Sequence, residues 1–244
     1  MVNGNEFTLG KINSVSNVFF CQGRRNIEIL KKYFHKHENI YVEGGYARLQ
    51  NLKVDKRYKK KKNPKIFYIP THGFNSSMKY FYTEIINLSN YFDVYAKFHP
   101  DTYNDEKEKE ILDKFINSKI KIIEENLDPE SWLTLSDILI SDFGGSTFLG
   151  LYLNKPMVLL DPPEETNHLE FLRQNKRHLE PSEILLRKHF TTLKYKKKEN
   201  LNQKFIEQEI RAFSITKQKK LKDLFFFNKK EIPGKIFAKF LLSK

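Results

Sequence analysis

Several features that define large protein classes are missing from this chain. It holds a single cysteine, Cys21, among 244 residues, which excludes an internal disulfide and a cysteine-based metal cluster. No apolar run approaches the roughly 20 residues needed to span a bilayer. The N-terminus also lacks the charged-then-apolar pattern of a signal peptide. Together these absences predict the reducing cytoplasm as the location.

Acidic residues are outnumbered, 30 against 43 lysines and arginines, and the formal net charge is +13. Basic runs at 56–62 and 194–198 concentrate this charge. Such patches suit nucleic acid, anionic lipid headgroups or a polyanionic substrate. The alternative is a biased composition with solvated basic loops. No nucleic-acid-binding module is recognisable and the aromatic residues fall in core-like runs, so nucleic acid is the least favoured partner.

Helical and strand patterns alternate along most of the chain, and 39% of the residues are hydrophobic. This alternation predicts an α/β fold with a Rossmann-like, doubly wound parallel sheet covered by helices. Helices are predicted at 106–116, 129–135, 147–153, 180–190 and 201–213. The predicted regions are a partial N-terminal region with the first βα unit at 1–54, a basic linker loop at 55–63, a Rossmann-like domain at 64–190 and a helical basic C-terminal segment at 191–244.

The most informative stretch is 135–161. A buried strand is predicted at Ile138–Ser141, then a glycine-rich turn into a short helix, then a second buried strand at 156–160. A turn of this kind exposes backbone amides to an anion, and ligands of open α/β sheets bind at the carboxyl ends of strands. An ordinary helix N-cap is the alternative. The turn contributes Asp142, Gly144, Gly145, Ser146 and Thr147.

Polar residues also follow three other predicted strands. Thr71 and His72 come after a strand at 66–69, His99 follows one at 94–98, and Asp161 follows the strand at 156–160. A histidine at a strand end can donate to a phosphate oxygen or cap the backbone, and both interpretations stay open. No carboxylate cluster that would require Mg²⁺ is visible in the sequence, and neither a metal nor a cofactor is predicted.

Four short elements resemble a known family when taken in order. They are Gly-Tyr-Ala-Arg-Leu at 45–49, Tyr-Ile-Pro-Thr at 68–71, Lys-Phe-His-Pro at 97–100 and Ser-Asp-Phe-Gly-Gly-Ser-Thr-Phe at 141–148. The chain is similar here to the CDP-glycerol glycerophosphotransferases, the bacterial polymerases and primases of teichoic acid and capsule synthesis. The resemblance covers roughly 15–175. It implies the GT-B architecture, whose C-terminal Rossmann-like half binds the nucleotide donor.

The resemblance implies a transferase that moves a polyol phosphate from a CDP donor, such as CDP-glycerol, to a cell-surface polymer or a polyanionic or lipid-linked acceptor. His99, which belongs to the matching Lys-Phe-His-Pro element, is then an expected catalytic residue. His72 stands where the family often has Trp-Arg, and its place at a strand end makes it the second expected catalytic residue. Asp161 is expected to accept from a ribose hydroxyl. The other residues expected to bind the donor are Arg48, Thr71, Asp142, Gly144, Gly145, Ser146 and Thr147.

The sequence also departs from the family pattern. Ala47 stands where the family has proline, and two glycines replace its serine pair before Ser146. The family's N-terminal half, with its Trp-His-Gly motif, has no counterpart, so we expect a donor-binding half that transfers poorly alone, either truncated or working with a separate acceptor-domain protein. A GT-B nucleotide-sugar glycosyltransferase of capsule or lipooligosaccharide synthesis and a non-catalytic nucleotide-binding partner subunit remain as alternatives.

The C-terminal segment at 232–242 is predicted to form an amphipathic helix. One face carries Ile236, Phe237, Phe240 and Leu241, with Lys235 and Lys239 beside it. Such a helix can lie on an anionic membrane, which would place the protein peripherally at the inner face of the plasma membrane. It can equally pack onto the fold, and packing is the favoured interpretation.

Overall fold

The structure is a computed structural model that describes residues 17–33, 36, 38–46, 64–163, 180–227 and 232–243. The chain divides into two compact units. Among the described residues, the first unit comprises those between 17 and 46 and those from 215 to 243. The second comprises 64–163 and 180–214. None of the helices in these ranges has the length and apolar character that crossing a bilayer requires.

The first unit is built on a pair of parallel strands, in which Val18 pairs with Ile40. Buried Phe19, Cys21 and Leu30 form its small core. The C-terminal helix packs on the first strand, because the ring of Phe20 contacts two phenylalanines of that helix edge-on. The elements are β1 (Val18–Cys21), α1 (Arg24–Tyr33), β2 (Ile40–Glu43), α9 (Ile215–Phe225) and α10 (Pro233–Leu242).

The second unit is a six-stranded parallel sheet with helices between its strands. The strands are β3 (Lys65–Ile69), β4 (Asp93–Ala96), β5 (Lys121–Ile122), β6 (Ile138–Ser141), β7 (Met157–Asp161) and β8 (Thr191–Lys194). The helices are α2 (Met78–Leu88), α3 (Pro100–Asn104), α4 (Glu106–Ile116), α5 (Pro129–Leu135), α6 (Gly145–Tyr152), α7 (Ser182–His189) and α8 (Gln203–Ala212).

The strand order is β5-β4-β3-β6-β7-β8, and every pairing is parallel. Within this sheet, the chain therefore starts in the middle at β3 and proceeds through β4 to the edge strand β5. It then returns to the middle at β6 and proceeds through β7 to the other edge strand, β8. This is the doubly wound arrangement that the sequence predicts, and the fold class is confirmed. The switch in direction lies between β3 and β6, which is where ligands of such sheets bind.

Continuous apolar runs explain why these strands lie in the centre. All four residues of β6 and all five of β7 are buried, as expected for strands covered by helices on both faces. On one face, α2, α4 and α8 bury Phe81, Phe115 and Ile206 against the sheet. On the other, α6 lies so close to β6 that a Cβ on Gly150 would stand 2.7 Å from Cδ2 of Leu139.

Two predicted elements differ from the structure. The range 191–244, predicted as a helical basic segment, begins with β8, a strand that the sequence did not predict and whose register pairs Leu160 with Leu193. A four-residue strand carries little periodic signal, and its pairing with β7 decides its conformation. Helix α6 begins at Gly145 rather than at Thr147. The basic run at 56–62 lies outside the described residues, whereas the run at 194–198 passes from β8 into the 3₁₀ turn Tyr195–Asn200.

Candidate functional site at the strand switch

The candidate site lies where β3, β4 and β6 end side by side. Because β3 is the common neighbour of the other two strands, the residues that follow these three strands lie side by side at the carboxyl ends of the strands. Thr71 and His72 follow β3, His99 follows β4 and Asp142 follows β6. The sequence predicted a site from these strand ends, and contacts between their residues now give it a geometry.

Asp142 joins the loops of this edge through its carboxylate. Oδ1 accepts from the backbone N–H of Thr71 at 2.7 Å and of Phe143 at 2.6 Å, and Oδ2 accepts from that of Ser77 at 2.7 Å. The side chain is fully buried, and this desolvation raises the pKa of Asp142 to about 6, while the three amide donors oppose the shift. Asp142 therefore holds the loop after β3 and the start of α2 in place.

Two hydroxyl contacts add to this framework. The phenol of Tyr68 lies 2.8 Å from the hydroxyl of Ser77, inside the core. Ser141 donates to the carbonyl of Ile69 at 2.6 Å, and its oxygen lies 3.1 Å from that of Ser146. Ser146 is half-buried and stands in the first turn of α6. Its hydroxyl is thus positioned from the end of β6.

The glycine-rich turn leaves room beside its backbone. Gly144 has a φ of 95°, a conformation that favours glycine. A Cβ placed on Gly144 or on Gly145 would meet no atom within 4 Å. Thr147 behaves differently from the expectation, because its side chain is fully buried and its hydroxyl donates to the carbonyl of Gly144 at 2.7 Å. The hydroxyl of Thr147 therefore caps the turn. The space beside Gly144 and Gly145 is open, and Ser146 is half-buried next to it.

His72 and His99 come together across the ends of β3 and β4. Their rings stack with centroids 5.3 Å apart and an interplanar angle of 21°. Nδ1 of His99 accepts from the backbone N–H of Asp101 at 3.2 Å, and the carboxylate of the same residue lies 3.4 Å from it. The amide contact is the shorter one and assigns the imidazole proton to Nε2. His99 is exposed, so this N–H is available to a ligand.

A buried cluster of charged side chains, which the sequence did not predict, contacts the glycine-rich turn. Arg187 donates to Asp161 at 2.8 Å, to Glu183 at 3.0 Å and to the carbonyl of Asp142 at 2.8 Å. Its guanidinium also lies 4.2 Å from the ring centroid of Phe143. Glu183 in turn accepts from the N–H of Gly144 at 3.2 Å. The cluster therefore holds the turn at two points, the carbonyl of Asp142 and the N–H of Gly144.

Burial governs the charges of this cluster. Desolvation raises the pKa of Glu183 above its ordinary value, and the nearby Arg187 guanidinium opposes the rise. Asp161 is 3% exposed and engages Arg187, so in this structure it is a partner of that arginine rather than an open acceptor for a ribose hydroxyl. The spacing of Glu183 and Arg187, four residues apart on a predicted helix, is the one sequence signal that points to the cluster.

A group of possible metal ligands lies next to the stacked histidines. Among the described residues, one group has the composition and spacing to hold a metal ion, namely His72, Asp105 and Glu108, whose ligand atoms all lie within 4.8 Å of one another. The sequence prediction did not find it, because 33 residues separate His72 from Asp105. Arg48, expected to contact the donor, lies outside the described residues.

Residues 10–166 match the family described as CDP-Glycerol:Poly(glycerophosphate) glycerophosphotransferase. The chain belongs to this family. The match extends over the strand ends that carry His72, His99 and Asp142, so the resemblance stated from the sequence is confirmed. No curated protein sequence matches the chain.

Solved structures share the fold of this family member at low sequence identity. The wall teichoic acid polymerase TagF is similar with a TM-score of 0.59 and 16% identity, over 97% of this chain and 61% of that one. A TagF variant soaked with CDPG gives 0.52 and 17%, over 96% and 61%. The S. aureus MnaA–UDP structure gives 0.56 and 14%, over 95% and 61%. The chain spans about three fifths of the length of these proteins.

Proposed function

We propose that this chain provides the donor-binding part of a CDP-glycerol glycerophosphotransferase, and that the diphosphate of the donor binds at the ends of β3, β4 and β6. The observation that carries the proposal is the stacked pair of His72 and His99 at the switch point of a sheet, where Asp142 holds the N–H of Thr71, in a chain of this family. Transfer of a polyol phosphate leaves CMP, so the site must stabilise negative charge on phosphate oxygens.

Each part of the site has a role in this proposal. The Nε2–H of His99 donates to a phosphate oxygen, since Nδ1 is engaged by Asp101. The hydroxyl of Ser146 and the backbone N–H of Gly145 donate to another phosphate oxygen, and the space beside Gly144 and Gly145 is open to receive it. The start of an α-helix favours an anion because its first N–H groups have no partner within the helix. His72 stacks on His99 and lies beside the same phosphate position. A donor contact by Arg48 stays a prediction from the family resemblance.

Asp142 and Arg187 act by positioning these groups. Asp142 holds the N–H of Thr71, which fixes the chain leading into His72. Arg187 holds the carbonyl of Asp142 and, through Glu183, the N–H of Gly144. Neither side chain needs to touch the donor. Asp161 is assigned to the same supporting role through its contact with Arg187.

A cytidine nucleotide is the proposed donor because of the family and because a structural neighbour, the TagF variant, was soaked with CDPG. MnaA, with a similar fold, was solved with UDP, so a uridine nucleotide is the natural comparison. The proposed acceptor is a teichoic-acid-like or capsular polymer, or its lipid-linked precursor, at the inner face of the membrane. Residues Phe237 and Leu241 of α10, which are 47% and 56% exposed, support such a location.

The donor is tested by binding measurements, which do not depend on turnover. Thermal unfolding of the purified chain is followed with CDP, CDP-glycerol, UDP and a UDP-sugar at equal concentrations. A ligand stabilises by an amount set by its concentration relative to its dissociation constant. We expect CDP-glycerol to raise Tm most. Equal or stronger protection by the UDP-sugar would instead assign the chain to a nucleotide-sugar glycosyltransferase, and protection by none of the four would overturn the donor site.

The membrane location is tested separately by co-sedimentation with vesicles of anionic and of neutral phospholipid. We expect the wild-type chain to bind anionic vesicles, and we expect the double variant Phe237→Ser and Leu241→Ser to bind them less. Since Phe237 also contacts Phe20, the double variant is checked for an unchanged Tm. Retention of the variant on the vesicles, or binding to neither type, would remove the membrane from the proposal and leave the donor site unaffected.

A further inference from the structure

The start of α4 carries two carboxylates on one face. Asp105 is the N-cap and accepts from the N–H of Lys107 at 2.9 Å, and Glu108 stands three residues later. In a capping box, a glutamate at this position turns back to the N-cap amide. Glu108 instead reaches across to the loop after β3, where its Oε1 accepts from the N–H of Gly73 at 2.9 Å. Its second oxygen is thereby directed into the protein beside His72.

Two acceptor atoms are buried in this place without a hydrogen bond. Glu108 is 8% exposed, and its Oε2 has no hydrogen-bond partner among the described residues. Nδ1 of His72 is likewise buried and unpartnered there. Burying a polar atom without a partner costs about 1–3 kcal/mol, and a carboxylate costs more. Both atoms belong to residues whose ligand atoms lie within 4.8 Å of one another, which indicates that a positively charged group belongs between the two side chains.

We propose that His72, Asp105 and Glu108 bind a divalent transition-metal cation, with Nδ1 of His72 as the nitrogen ligand and one oxygen from each carboxylate. One ligand atom of each residue lies within 4.8 Å of a ligand atom of the other two, so a common point lies within about 2.8 Å of all three residues. Zinc requires about 2.0–2.2 Å to such ligands, and small side-chain movements supply the difference. One imidazole with two carboxylates suits Zn²⁺ or Mn²⁺ better than Mg²⁺.

The other nitrogen of His72 supports this assignment. Nε2 lies 3.6 Å from Oδ2 of Asp101. A histidine that ligates a metal usually directs its second N–H toward a carboxylate, which fixes the ring and strengthens the ligand. The same aspartate holds Nδ1 of His99 through its backbone N–H. Asp101 therefore orients both rings of the stacked pair.

Open space adjoins the cluster, because a Cβ on Gly73 would meet no atom within 4 Å. A cation with three protein ligands keeps positions for water or substrate, and a donor diphosphate would fill them from the crevice. This role for the metal rests on the proposed function. The binding of the metal itself does not, and the experiment measures it without nucleotide.

Zn²⁺ binding to the untagged chain is measured by titration calorimetry, and Co²⁺ is added separately to record its visible absorption. The test variants are His72→Ala, Glu108→Gln and Asp105→Asn. The amide of each carboxylate variant keeps the oxygen that accepts from Gly73 or from Lys107. His189→Gln is the matched control, since His189 is exposed and lies outside the cluster. Circular dichroism verifies the folding of each variant.

We expect one Zn²⁺ per chain, an affinity reduced by about tenfold or more in each folded test variant, and an unchanged affinity in the control. Co²⁺ absorption should disappear in the same variants. No binding by the wild-type chain, or equal binding by all variants, would overturn the proposal and leave a buried water as the partner of the two atoms. CDP-glycerol protection measured in EDTA then tests the donor site alone, so the two failures are distinguishable.

Discussion

The backbone N–H of Thr71 donates to Oδ1 of Asp142 at 2.7 Å, and this bond joins the ends of β3 and β6 across the strand switch. The other oxygen of the carboxylate holds the start of α2 through the N–H of Ser77. A single buried side chain thus sets the position of the loop that carries His72. The geometry of the candidate site depends on this carboxylate without requiring it to contact a ligand.

The ionisation of Asp142 should make stability depend on pH. Its pKa rises from 3.8 to about 6 on folding, because burial disfavours the charged form. The stabilisation from this group is therefore complete below pH 3.8 and is lost as pH rises through about 6, at about 1.4 kcal/mol per pH unit between the two values. The measurement is urea denaturation at several pH values, for the wild-type chain and for Asp142→Asn.

The advantage of the wild-type chain over Asp142→Asn is expected to shrink between pH 4 and pH 6 and then to stay constant. An advantage that grows over this range would mean that the three amide donors outweigh desolvation. In that case the folded state prefers the ionised carboxylate, and the direction of the pKa shift is the opposite.

Replacing His99 should weaken donor binding and leave the fold intact. The residue is exposed, and His99→Ala removes the Nε2–H that the proposal directs at a phosphate oxygen. Loss of a hydrogen bond to a charged group costs about 1.5–3 kcal/mol, which corresponds to an affinity for CDP-glycerol lower by about tenfold or more. Calorimetric titration provides the measurement. His189→Ala, another exposed histidine on the same unit, should bind as the wild-type chain does, and equal affinity in both variants would exclude His99 from the site.

Arg187 should be among the most sensitive positions for stability. Its side chain is 6% exposed and pairs with Asp161 and Glu183. Arg187→Met leaves both carboxylates buried without their cation, which costs about 3–5 kcal/mol. Thermal and urea unfolding measure this loss. Arg211→Met is the matched control, because Arg211 pairs with Glu207 at 62% exposure and such surface pairs contribute about 0–1 kcal/mol. A comparable loss in both variants would contradict the structural role of Arg187.

Gly145 offers a test that separates binding from folding. An added Cβ meets no atom within 4 Å there, and alanine favours the helix by up to about 1 kcal/mol. Gly145→Ala should therefore keep or raise Tm, while the methyl group occupies space assigned to the diphosphate and weakens CDP-glycerol binding. Gly234→Ala is the control, since that glycine also stands in the first turn of a helix with open space around it. Unchanged binding in Gly145→Ala would place the donor elsewhere.

The sequence predicted much of the sheet unit, because its elements carry strong local patterns. The bounds of α4, α5 and β6 agree with the prediction, since Asp105 caps one helix, Pro129 opens another, and Ile138 begins a fully buried strand. The sequence predicts that helix α6 begins at Thr147, two residues after its first residue in the structure, Gly145. Gly144 and Gly145 read as turn residues, but only Gly144 has a positive φ, and the helix begins immediately after it.

By itself, the sequence determined the order of the strands from β3 to β7, the family and the strand ends that carry Thr71, His72, His99 and Asp142. These follow from hydrophobic periodicity and short motifs, which are local in the chain. Only the tertiary structure decided which side chains meet: Asp142 with Thr71, Arg187 with Asp161, and Glu108 with His72. Partners 26 to 71 residues apart leave no periodic signal, because their contact depends on how the sheet brings its strands together.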